Sequence, residues 1–124
     1  MIFGIGTDII EVERIKKQIS KGNRFKEKIF THNEIQYCES RKAKAQNYAA
    51  RFAAKEAFFK AIGTGWRGGL SLKEIEIANN KLGKPEIVLY GKTKELTEQI
   101  KVTNIQVSLS HVKDLASAIV VLEK

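Results

Sequence analysis

The period of hydrophobic and polar positions changes several times along this chain, and each change predicts an element. In residues 2–7, IFGIGT, Phe3 and Ile5 alternate with Gly4 and Gly6. This predicts a short buried strand with one face free of side chains, so that another backbone can come close. From 9 to 20, Ile9, Val12, Ile15 and Ile19 recur at spacings of three and four, while Glu11, Arg14, Lys17 and Lys21 fall largely opposite, the pattern of an amphipathic helix. Asp8, at the end of the strand, suits either the N-cap of that helix or a ligand position. Gly22-Asn23 breaks the helix, and Phe25, Ile29 and Phe30 begin a short second one. Thr31 and Glu34 have capping-box spacing, so a third helix is expected over about 33–40. A long alanine-rich helix follows over about 47–62, stopped by Gly63.

Beyond it lies GTGWRGG, residues 63–69, a glycine loop able to turn backbone N–H groups toward an anion but without Walker spacing. Alternation then predicts strands over 70–78 and 86–90 around a turn, a helix over 91–100, and a strand over 104–110. After a turn at 111–114, residues 115–122, LASAIVVL, are apolar on both faces, which in a short chain predicts a subunit interface. One strand, four helical segments and then mostly strands make an α+β fold, its helices packed on a largely antiparallel sheet.

Composition narrows this picture. A chain of 124 residues, 43% hydrophobic and 29% charged, suits a single domain spanning 1–124 with a real core. No apolar run reaches the ~18 residues of a membrane span. The N-terminus lacks a basic leader and carries Asp8, so a signal peptide is not expected. The single cysteine, Cys38, allows no intrachain disulfide, and a cytoplasmic location is expected. The formal charge of +8, from 22 Lys and Arg against 14 Asp and Glu, calls for an acidic partner. A small basic nucleic-acid-binding module is one reading of that charge, but no stacking aromatics line a strand face.

Candidate chemistry gathers around RFAAKEAFFKAIGTG, residues 51–65. Glu56 lies in an apolar helix with Lys60 one turn on, and a carboxylate there needs a partner or a cation. An internal Glu56–Lys60 pair would satisfy it. So would a metal shared with Asp8, because two carboxylates leave most of an octahedral shell open, as Mg²⁺ prefers.

Five segments together resemble one family: GIGTDIIEVERI at 4–15, IFTHNEI at 29–35, RFAAKEAFFKAIGTG at 51–65, LGKP at 82–85 and SLSHVKDLASAIVV at 108–121. In this order and spacing they are similar to the holo-acyl-carrier-protein synthases, the short bacterial type of 4′-phosphopantetheinyl transferase. The resemblance implies that fold, and transfer of 4′-phosphopantetheine from coenzyme A to a serine of apo-acyl carrier protein. It also implies Mg²⁺ and a homotrimer with active sites between subunits, serving fatty acid and lipid biosynthesis. Asp8 and Glu56 match the metal ligands. Glu56, directly or through a metal-bound water, matches the base, and Lys60 a lysine stabilising the pyrophosphate or leaving phosphate. Arg51, Gly63, Thr64, Gly65 and His111 match the lining of the coenzyme A site, although His111 also suits a plain turn residue. Arg14, Lys17, Lys21, Arg24 and Lys28 fall where the family docks its acidic carrier protein. Trp66 and Arg67 have no firm counterpart. A non-catalytic coenzyme A-binding protein is the alternative that keeps the fold and drops the chemistry.

Overall fold

The computed structural model describes residues 1–63 and 69–124. A strand, β1 (Ile2–Glu11), leads into helices α1 (Val12–Ser20), α2 (Arg24–Ile29), α3 (His32–Glu39) and α4 (Lys44–Ile62). After a 3-10 turn (Leu72–Glu74) come β2 (Ile75–Asn79), β3 (Pro85–Leu89), α5 (Gly91–Gln99), β4 (Asn104–His111) and β5 (Leu115–Glu123). Every pairing is antiparallel, as expected, and the strands fall into two sheets, β1-β5-β4 and the hairpin β2-β3.

The helix α4 lies along the inner face of the three-stranded sheet. Its Ala53, Ala54 and Ala57 are fully buried, as are Phe58 above and Val120 and Leu122 of β5. Small residues on both sides permit backbone contact. A Cβ on Gly6 would strike the Ala57 carbonyl and come within 2.6 Å of the Ala61 nitrogen, and one on Gly4 would strike the Ala61 carbonyl. The expected side-chain-free face of β1 is therefore real, and it is the floor on which α4 rests.

Three expectations need correction. The first strand does not end near residue 7: its pairing with β5 continues to Glu11 opposite Leu115. Asp8 is accordingly inside β1, opposite Ala118, and does not cap α1, whose N-cap is Glu11 with no side-chain bond. Ladder hydrogen bonds to β5 outweigh the helical spacing of Ile9 and Val12. Nor is β1 a buried strand throughout, since Ile5 is 56% and Ile9 65% exposed on its outer face. The same outer face carries Ile119 and Leu115 of β5, so the last strand buries only Ala116, Ala118, Val120 and Leu122 within the chain.

The Thr31–Glu34 capping box is present, with the Glu34 N–H on the Thr31 hydroxyl and the Thr31 N–H on the Glu34 carboxylate. Glu34 also meets a lysine for which no local spacing supplies a partner. Lys55 of α4 is wholly buried and donates to Glu34 Oε1 at 2.6 Å and to the carbonyls of Ile29, Leu72 and Ile75 at 3.0, 3.1 and 2.7 Å. The other oxygen of Glu34 accepts the Ile77 N–H at 2.9 Å. Glu74 serves α5 in a similar way, accepting the N–H groups of Lys92 and Thr93 and the Thr93 hydroxyl. These donors hold its carboxyl below the usual range despite some burial. Gly91, at φ +59°, leaves the room that this carboxylate occupies.

Candidate active site

The packing of β1 on α4 builds the site. Gly4 lies against Ala61 and Gly6 against Ala57, so the strand runs back along the helix and Asp8 comes next. Lys60 reaches across, donating to Asp8 Oδ1 at 2.9 Å and to the Thr7 carbonyl at 3.1 Å. Lys60 thus ties the helix to the strand. Asp8 is mostly enclosed, its side chain 17% exposed, while Lys60 is 57% exposed. Glu56 is half-buried one turn before Lys60 on the same flank, because residues four apart stack.

This donor set fits a hard divalent cation. Asp8 uses Oδ1 toward Lys60, and among the described residues no other hydrogen bond reaches its carboxylate. Asp8 and Glu56 stand on a paired strand and a packed helix, elements that hold ligands in place. Among the described residues no group of three His, Cys, Asp or Glu gathers, so a cation bound by these two would complete its shell with water or ligand phosphate oxygens.

The remaining expected site residues are scattered. Gly63 caps α4 at φ +89°, its N–H on the Phe59 carbonyl at 2.9 Å, as the glycine stop signal requires. Thr64 and Gly65, with Trp66 and Arg67, lie outside the described residues. His111 is exposed at the end of β4, opposite Ala116 of β5. Two strand spacings, about 10 Å, separate its strand from β1, so this chain does not bring it to Asp8. Arg51 is only 2% exposed. It donates to Asn79 Oδ1 at 2.6 Å and lies over the Tyr37 ring, 4.1 Å from its centroid. It is therefore on the side of α4 away from β1 and does not join Asp8 and Lys60.

Arg14, Lys17 and Lys21 are exposed along α1, and Arg24 and Lys28 along α2. The first three rim a cleft of about 490 Å³ floored by Ile10, Ile15, Phe25 and Phe52. That apolar floor escapes a reading of charge alone, because Phe25 and Phe52 meet only when α2 packs against α4, with ring centroids 6.2 Å apart. Cys38 is fully buried, and burial pushes its thiol up to about 12, so it takes no part in chemistry here.

Residues 4–120 match the model of the 4′-phosphopantetheinyl transferase superfamily. The chain belongs to that superfamily. A holo-[acyl-carrier-protein] synthase of Geobacter sp. is 50% identical over 125 residues, covering 100% of both chains. One from Ruminiclostridium cellulolyticum is 56% identical over 120 residues, or 95% of this chain and 90% of that one. Among solved structures, the holo-[acyl-carrier-protein] synthase of Neisseria meningitidis superposes with a TM-score of 0.92 at 39% identity, covering 100% of both chains. That of Bacillus anthracis, in complex with CoA (3′,5′-ADP), superposes at 0.82 with 40% identity, over 100% of this chain and 98% of that one. As a member of the phosphopantetheinyl transferases, this chain is an enzyme.

Proposed function

We propose that the protein transfers the 4′-phosphopantetheine group of coenzyme A to a serine hydroxyl of an apo-acyl carrier protein. Adenosine 3′,5′-bisphosphate is the other product. The observation that carries this reading is the Asp8–Lys60 contact beside Glu56, which sets two carboxylates and an ammonium on one flank of α4. Family membership and the coenzyme A complexes of the Bacillus anthracis and Helicobacter pylori relatives support it.

In the reaction a bond forms between the serine oxygen and the phosphorus that bears pantetheine. The bond from that phosphorus to the bridging pyrophosphate oxygen breaks, and the oxygen leaves with the bisphosphate. Glu56 takes the serine proton, the task of a carboxylate within reach of a hydroxyl. Lys60, long and half in solvent, balances negative charge on the pyrophosphate as the bond breaks. Asp8 and Glu56 would hold Mg²⁺, which supplies charge neutralisation at the pyrophosphate. Gly63, Thr64 and Gly65 belong to the coenzyme A site in this reading. Arg51 belongs there as well in this reading: among the described residues its buried Nε has no partner, the kind of donor an anion satisfies. His111 would serve the site of a neighbouring subunit. The apolar outer face with Ile5, Ile9, Leu115 and Ile119 supports a homotrimer. Arg14, Lys17, Lys21, Arg24 and Lys28 dock the acidic carrier protein, and the location is cytoplasmic.

Intact-mass spectrometry tests the reading. An apo-acyl carrier protein incubated with the enzyme, coenzyme A and Mg²⁺ gains one phosphopantetheine, and excess chelator prevents the gain. No gain with several carrier proteins would leave a coenzyme A-binding protein without transferase activity.

A further inference from the structure

We infer that Lys55 and Glu34 are positioning residues for the reaction, fixing the rotation of α4 and with it the direction of Glu56. This rests on the functional reading above. Successive residues of an α-helix are roughly 100° apart around its axis. Ala57 and Ala61 meet the glycines of β1, and Lys55 lies nearly opposite them. Glu56 falls between these two contacts. On the β1 side the backbone of Ala57 and Ala61 lies against Gly6 and Gly4, and the side-chain bonds there, from Lys60 to Asp8 and the Thr7 carbonyl, come from a lysine that is 57% exposed and near the end of the helix. On the other side Lys55 offers four hydrogen-bond contacts to four separate segments: the end of α2 at Ile29, α3 at Glu34, the 3-10 turn at Leu72 and β2 at Ile75. An ammonium has three protons for these four acceptors, so all of its donor capacity is engaged.

Glu34 is held as firmly. One oxygen takes Lys55 and the Thr31 N–H, the other the Ile77 N–H, and both side chains are fully enclosed. An ion pair so deep adds little net stability over a well-packed apolar pair, because desolvating two charges offsets much of their attraction. Its directional hydrogen bonds are what an apolar pair would not reproduce. They lock one turn of α4 to a second layer made of α2, α3 and β2, one residue before the proposed base. Displacement of a reacting group by about 1 Å is enough to cost about 10²-fold in rate.

The test compares Glu34→Asp, Lys55→Met and the double substitution Glu34→Gln with Lys55→Met, using the mass assay and full kinetics. Wild type and Glu56→Gln run alongside, so a failed functional reading shows as an inactive wild type and is separate from failure of this inference. Glu34→Asp keeps the charge and shortens the reach by one carbon. It is expected to fold, by circular dichroism, and to lose about tenfold or more in kcat while KM for coenzyme A and carrier protein stays within about twofold. The double substitution removes both charges and keeps the same loss. A folded Glu34→Asp with wild-type kcat would overturn the inference. So would recovery of kcat in the double substitution, which would mark the pair as a balance of charge and not a device of geometry. If Lys55→Met does not fold, Glu34→Asp alone decides.

Discussion

Lys60 of α4 donates to the carboxylate of Asp8 in β1 at 2.9 Å, joining the long helix to the first strand beside Glu56. The pair is partly exposed, so its value to folding is small, about 0.2–1 kcal/mol. In the proposed reaction its value is expected to be larger. Lys60→Ala should leave the thermal midpoint nearly unchanged and lower kcat by about 10²–10³-fold, the usual loss when one charge-stabilising donor is removed. Glu56→Gln should keep the fold and lose about 10²–10⁴-fold, the range of general-base catalysis. Time courses of carrier-protein mass measure both. A folded Glu56→Gln with normal turnover would remove Glu56 from the mechanism.

Gly6→Ala should be among the most damaging single changes outside the chemistry. The added methyl meets backbone of Ala57 and Ala61, which cannot rotate away as a side chain would. Overpacking of this kind costs at least about 1–3 kcal/mol, and here it also lifts β1 and Asp8 from α4. A lower urea midpoint together with lost activity is expected. A stable, active variant would show that α4 is not seated on β1 as described.

Arg14→Ala should act on the carrier protein and spare coenzyme A. Arg14 rims the cleft floored by Phe25 and Phe52, so its loss weakens encounter with an acidic surface. KM for the carrier protein is expected to rise several-fold and its dependence on salt to flatten, with KM for coenzyme A unchanged. Equal KM values in wild type and variant would move the docking surface elsewhere.

Acid should weaken the fold through Glu39. Its carboxylate accepts from Lys44 first, then from the Tyr48 hydroxyl and Lys26, and these hold it down from 4.5 to about 2. A depressed carboxylate stabilises the fold fully above its unfolded pKa, and that contribution fades as protons bind the folded form. Stability should therefore fall between about pH 4.5 and 2. Glu39→Gln should flatten that part of the curve in urea titrations at stepped pH, and an unchanged slope would assign the acid sensitivity to other carboxylates such as Glu74.

Much of this was legible in the chain because the signals were local. The Thr31–Glu34 capping box, the Gly63 stop, the alternation before the β2-β3 hairpin and the glycine face of β1 each reside in a few consecutive residues. Asp8, Glu56 and Lys60 stood out because charges in apolar segments demand partners. The first strand runs further than its local pattern predicts, for the opposite reason. Ile9 and Val12 have helical spacing, and only the register with β5 keeps residues 8–11 extended.

What the sequence by itself determined is the set of elements, the α+β class and the charged residues that need explanation within apolar stretches. Tertiary structure alone decided which charge answers which. Lys60 bonds Asp8 of the first strand, Arg51 is buried against Asn79 and Tyr37, and Lys55 binds Glu34. The physical reason is that a buried charge has to be satisfied by whatever packing brings within about 3 Å, and packing joins residues that no local spacing relates.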